Sequence, residues 1–178
     1  MSVPPGLELR FAGIAALPGV LGLVQAAYRG ESSRAGWTTE ADLLDGGRTD
    51  AALVRGLMVS TRDAVLVAGD GTVPVACCAV GVHDGRASLG MFAVRPVAQG
   101  HGLGAGVLAS AEAYVRDRWD VPALHLSVIR QRAELQAWYV RRGYVPTGET
   151  EPFPYGDERF GRPLRDDLEL VVLRKPLR

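Results

Sequence analysis

Cysteine is nearly absent from this sequence: two in 178 residues, the adjacent pair Cys77 and Cys78. Neighbouring side chains on a strand point to opposite faces, so an adjacent pair in an apolar run excludes a disulfide framework or a spaced metal pair. It predicts two buried free thiols and no metal site. Net charge is lacking as well. Lys plus Arg (20) equals Asp plus Glu (20), so no general pull draws the chain to nucleic acid or an anionic membrane, and any anion must be bound locally. No apolar run reaches the roughly 18 residues that span a bilayer, and no basic segment followed by an apolar core opens the chain; the expectation is a cytoplasmic protein. Repeats and low-complexity tracts are missing too, and hydrophobic (47%) and charged (22%) fractions are those of one soluble globular domain over residues 1–178.

What is present is an alternation of strand-like and helix-like periods. LELRFA at 7–12 reads as an opening strand, and 14–28 as a helix with Leu17, Val20, Leu21 and Val24 at helical spacing. Residues 29–38 read as a loop. Helical pieces are expected at 39–42 and 49–59, with Thr49 as N-cap. From Ala64 the period becomes that of strands: AVLVAG, a turn at Asp70-Gly71, TVPVACCAVGV, a turn at Asp84-Gly85, and RASLGMFAV to Val94. Pro74 suggests an edge or a bulge. A helix over 104–119, a strand over 123–129 and a helix over 134–142 closed by Gly143 follow, then a long irregular loop at 148–166 and a last strand at 168–173. The sum is a mixed α/β domain with an antiparallel half joined to strand–helix crossovers.

The strand MFAV passes through Arg95-Pro96 into QGHGLGAG and then into an apolar-periodic helix. Glycines at 100, 102 and 104 let backbone N–H groups converge, and the helix behind them adds the positive end of its dipole, so a pyrophosphate fits the concavity. A plain tight turn before a helix would show the same glycines. A Walker loop would need Lys then Ser or Thr after the glycines, and a dinucleotide fingerprint would need GxGxxG at the first strand; neither is present.

Gln99-Gly100-His101-Gly102-Leu103-Gly104 resembles the signature of the GCN5-related N-acetyltransferase (GNAT) superfamily, which is Gln or Arg, two residues, Gly, one residue, then Gly or Ala. Ala93-Val94-Arg95-Pro96 before it and Trp138-Tyr139-Val140-Arg141-Arg142-Gly143-Tyr144 after it support the resemblance, which covers residues 60–147 in detail. The resemblance implies a GNAT-like α/β domain with about four helices and a sheet splayed at the acetyl-CoA site. It places the pantetheine arm against Phe92, Ala93 and Val94, and the pyrophosphate on the loop from Gln99 through Gly100, His101, Gly102, Leu103 and Gly104 to Ala105. It makes Tyr139 the acid that protonates the departing thiolate.

Two positions depart from the family pattern. Arg132 stands where many relatives have Asn, and is expected to reach a phosphate of the coenzyme or lie in solvent. Ser127 stands where some relatives have a Glu base; it is expected to hold a water, with His125 on the same strand face as the alternative base. The acceptor site is expected under the loops 29–38 and 148–163, with Glu31, Arg34, Trp37, Glu149, Glu151 and Phe153 as candidates. The expected activity is transfer of acetyl from acetyl-CoA to the primary amine of a small or amino-acid-like acceptor, a peptide amine being the alternative. No nucleic acid or membrane partner is expected, and exposed strand edges suggest a homodimer. A longer acyl donor, or a non-catalytic acyl-CoA sensor, remains open.

Overall fold

In a computed structural model the residues described are 9–69 and 73–178. The chain runs β1 (Arg10–Phe11), α1 (Leu17–Tyr28), α2 (Gly30–Arg34), β2 (Leu44–Asp45), α3 (Ala51–Val59), β3 (Asp63–Gly69), β4 (Pro74–His83) and β5 (Arg86–Val94). It continues α4 (Leu103–Arg118), β6 (Ala123–Ile129), α5 (Ala133–Val140), β7 (Val145–Pro152), β8 (Arg162–Pro163) and β9 (Glu169–Pro176). Seven strands form one sheet in the order β1-β3-β4-β5-β6-β9-β7, and β2 pairs with β8 apart from it. Every neighbouring pair in the large sheet is antiparallel except β5 and β6.

Both faces of the sheet are covered, and the two cysteines divide between them. Cys77 packs with Val20 and Val24 of α1 and Val54 of α3. Cys78 packs on the other face with Leu108, Ala111 and Val115 of α4 and Tyr139 of α5. Both thiols are free and buried, and burial pushes the Cys77 thiol up to about 12, which leaves it unionised. Burying a side chain such as Leu108, 1% exposed, contributes about 1.5–3 kcal/mol.

The sheet opens between β5 and β6. Their parallel pairing is confined to Ala87 with Leu124 and Ser88 with His125, after which the strands diverge. A bulge in β5, opposite Cys77 to Ala79, bends the strand at the same place, and Met91 there has a φ of 51°. A non-glycine residue in that region is strained, and such strain collects at functional clefts.

Several expected elements differ. The 29–38 stretch contains the short helix α2, closed by the Ala35 and Gly36 amides on the Ser32 and Ser33 carbonyls. Residues 39–42 form a turn, because the Leu43 and Leu44 amides both return to the Glu40 carbonyl. Asp50, not Thr49, caps α3, its Oδ1 accepting from the Leu53 amide at 2.8 Å. Residues 148–152, expected to begin the long loop, belong to an edge strand over 145–152: VPTGETEP lacks apolar alternation, and pairing with β9 makes it a strand. Its prolines suit an edge. Pro74 opens β4 beside a bulge in that strand, where Ala68 pairs with Ala76 and Gly69 with Pro74, leaving Val75 as the extra residue. The Asp70-Gly71 turn and the first two residues of the opening strand lie outside the described residues.

Candidate active site

The glycine loop and the open sheet create the first cavity. Gly102, the N-cap of α4, has a φ of 80°, a conformation that side chains resist. Beyond it the Leu103, Gly104 and Ala105 amides precede the first helical bond, from Gly106 N–H to the Gly102 carbonyl at 3.1 Å, and the first turn carries no acidic residue. Free amides at a helix N-terminus form a ready anion site. A cavity of about 290 Å³ joins this nest to Phe92, Ala93 and Val94 of β5 and to Trp138 and Tyr139 of α5.

Within the nest the expected residues divide. Gly100, Gly102, Gly104 and Ala105 line the cavity. The Leu103 side chain turns into the core, so it offers only backbone to a phosphate, and His101 is exposed with Nδ1 3.0 Å from the Gln99 carbonyl. Gln99 acts as a staple: its Nε2 donates to the Val94 carbonyl (3.0 Å), and its Oε1 accepts from the Trp37 amide (2.7 Å). Arg141 and Arg142, not singled out from the sequence, also line this cavity, and Arg142 lies 3.6 Å over the Trp138 ring.

A second cavity of about 470 Å³ lies on the other side of the opening, lined by His125, Ser127, Glu151 and Phe153 among others. Tyr28, Phe92, Arg132, Leu135 and Tyr139 line both cavities, so the two meet at these side chains. Tyr139 is 5% exposed and packs edge-to-face on Trp138, Phe92 and Tyr144. Burial raises its phenol, as does Tyr28, while Arg132 pulls the other way; the hydroxyl is protonated at neutral pH. The Tyr28 hydroxyl is engaged, donating to the Phe92 carbonyl at 2.6 Å.

Ser127 donates to Glu151 Oε2 at 2.8 Å, so a carboxylate from β7 reaches across β9 to the serine. His125 Nδ1 lies 3.1 Å from the Ala87 carbonyl, which fixes the proton on Nδ1 and leaves Nε2 as the acceptor. Its pKa is lowered, first by burial and then by Arg86 and Arg174 against the Ala87 bond, so the ring is neutral at pH 7.

Other acceptor candidates lie elsewhere. Glu31 is exposed, paired with Arg34 at 3.4 Å, and borders neither cavity. Glu149 pairs with Arg86 on the surface. Trp37 lines the first cavity, its ring 6.4 Å from that of Trp138. Arg132 does not lie in solvent: it lines the first cavity together with the glycine nest, its side chain is 8% exposed, and it donates to Thr38 Oγ1 (2.8 Å) and Glu40 Oε1 (2.7 Å).

That contact belongs to a network no sequence pattern flags. Glu40, 5% exposed, also accepts from Arg29, and Arg48 approaches it at 3.9 Å. Burial opposes ionisation of Glu40, but Arg132, Arg48 and Arg29 outweigh it and hold the carboxyl below its ordinary range.

A splayed sheet with an amide nest at one mouth and a second cavity at the other defines the class of acyl-CoA-dependent acyltransferases. A model of the Acetyltransferase (GNAT) family matches residues 27–144, and the chain belongs to that family, whose members use acetyl-CoA. No curated protein matches the sequence. Among solved structures, the ribosomal-protein-S18-alanine N-acetyltransferase of Escherichia coli superposes with a TM-score of 0.68 at 17% identity, over 96% of this chain and 93% of that one. The ribosomal-protein-alanine N-acetyltransferase of Brucella melitensis gives 0.67 at 21% identity, over 96% and 99%. A GNAT family acetyltransferase of Elizabethkingia anophelis with acetyl-CoA bound gives 0.58 at 13% identity, over 71% and 83%. At these identities the likeness is one of fold. Among the described residues no helix is long and apolar enough to cross a membrane.

Proposed function

We propose that the chain transfers an acetyl group from acetyl-CoA to the primary amine of a small or amino-acid-like acceptor, by direct attack in a ternary complex. The observation that carries this reading is the meeting of the two cavities at Tyr139 and Phe92. One cavity has the anion nest a pyrophosphate needs; the other opens beside a serine–carboxylate pair. In such a complex the carbon–nitrogen bond forms as the carbon–sulfur bond breaks. The amine proton passes to Ser127 Oγ as the serine's own proton passes to the Glu151 carboxylate, and Tyr139 supplies one to sulfur. His125, on the same cavity wall, is the competing base.

Calorimetric titration with acetyl-CoA and ATP tests the first cavity. Native chain is expected to bind acetyl-CoA and not ATP, and Gly102→Glu, which sets a carboxylate and a strained φ in the nest, to weaken acetyl-CoA binding about tenfold or more. Folded native protein that ignores acetyl-CoA would sink the reading. Glu151→Gln tests the second: kcat/KM with the best amine should fall about tenfold or more while acetyl-CoA affinity holds. An unchanged kcat/KM with Glu151→Gln, and a loss of about tenfold or more with His125→Gln, would transfer the base role to His125.

A further inference from the structure

Three guanidiniums share one close carboxylate beside the second cavity, which leaves an excess of positive charge there. Among the described residues, none of Arg29, Arg48 and Arg132 has another carboxylate within ion-pair distance; Asp45 acts on Arg29 only from farther away. The Nε atoms of Arg29 and Arg132 are buried without hydrogen bonds. Excess buried positive charge carries a desolvation cost that an anion relieves. Arg29 and Arg48 border only the second cavity, away from the glycine nest, so the anion they suit is not a coenzyme phosphate.

Arg48 is the group with donors to spare. Its approach to Glu40, 3.9 Å, is longer than a hydrogen bond; its side chain is 25% exposed, and its guanidinium lies 4.8 Å over the Tyr28 ring, which orients the fork. A planar guanidinium held this way suits a carboxylate bidentately. Arg86, the other arginine on this wall, is engaged by Glu149.

We infer that the acceptor is a free amino acid whose carboxylate is bound by Arg48 while its amine faces the Ser127–Glu151 pair. The inference rests on the N-acetyltransferase reading and goes beyond it in naming the acceptor's second charged group. The buried arginine–glutamate cluster then serves as a fixed positive floor for the acceptor cavity. A peptide bond or an amide in place of the carboxylate would leave that floor without its anion.

The test measures coenzyme A release by the native chain with acetyl-CoA and the twenty proteinogenic L-amino acids, each beside its α-carboxamide. The expected result is a free acid as best acceptor, with kcat/KM about tenfold or more above that of its amide. Arg48→Met should then raise KM for that acid about tenfold or more with kcat changed less than about threefold, leave acetyl-CoA affinity unaltered, and be partly rescued by Arg48→Lys. Amides accepted as well as acids, an unmoved KM in Arg48→Met, or no acid acetylated by a chain that binds acetyl-CoA would each overturn the inference while leaving the family activity standing. Failure of the native chain to bind acetyl-CoA would instead overturn the reading beneath it. The acid–amide comparison uses only native protein, so misfolding of a variant cannot obscure it.

Discussion

Tyr139→Phe is expected to lower kcat by about 10²- to 10⁴-fold, the usual span for a lost general acid, with acetyl-CoA affinity unchanged. The two effects separate because the ring and the hydroxyl do different things. The ring packs among Phe92, Trp138 and Tyr144 at centroid distances of 5.0–6.5 Å, and Phe preserves that packing, so the cavity wall and the melting temperature should hold. Only the proton donor disappears. Among the tyrosines on this surface Tyr28 is the available rival, but its hydroxyl is occupied by the Phe92 carbonyl. The measurement is steady-state release of coenzyme A with saturating amine, beside calorimetric titration with acetyl-CoA. A kcat within about threefold of native would remove Tyr139 from the mechanism.

Glu40→Gln should cost about 3–5 kcal/mol of folding stability, the range for removing one partner of a buried ion pair, because it strands Arg29 and Arg132 without a counter-charge. The measurement is urea unfolding followed by fluorescence, read as a lower midpoint at unchanged slope. Acid should mimic the substitution. A carboxyl whose folded pKa is depressed contributes stability that is present above its unfolded pKa, about 4.3, and is lost as pH falls through the folded value. Native protein should therefore lose stability below about pH 4 more steeply than Glu40→Gln does. Equal acid sensitivity of the two proteins would mean that the cluster contributes nothing to folding.

The readable parts of the sequence were those whose information is local. The strand–glycine–helix order from Met91 to Arg118 defines the nest because backbone freedom at Gly102 and the helical period of Val107, Leu108, Ala111 and Val115 lie within one short stretch. The adjacent cysteines gave opposite faces by strand alternation alone. The edge strand β7 was not readable, since the polar run VPTGETEP becomes a strand only through the pairing that β9 offers. The positions of Trp37 and Glu31 were not readable for a related reason: loop residues take their neighbours from how the loop closes, and Gln99 draws Trp37 toward the first cavity.

By itself, then, the sequence determined the α/β class and the glycine nest before α4, because backbone preference and periodicity act over a few residues; the tyrosine was marked by resemblance to a family signature. Tertiary structure alone decided what surrounds the reacting groups. Glu40 meets Arg132 across 92 residues, and Ser127 meets Glu151 across 24, through strand crossovers and loop closures that no local pattern encodes. A charge buried by the fold, as Glu40 is, takes its character from partners distant in the chain.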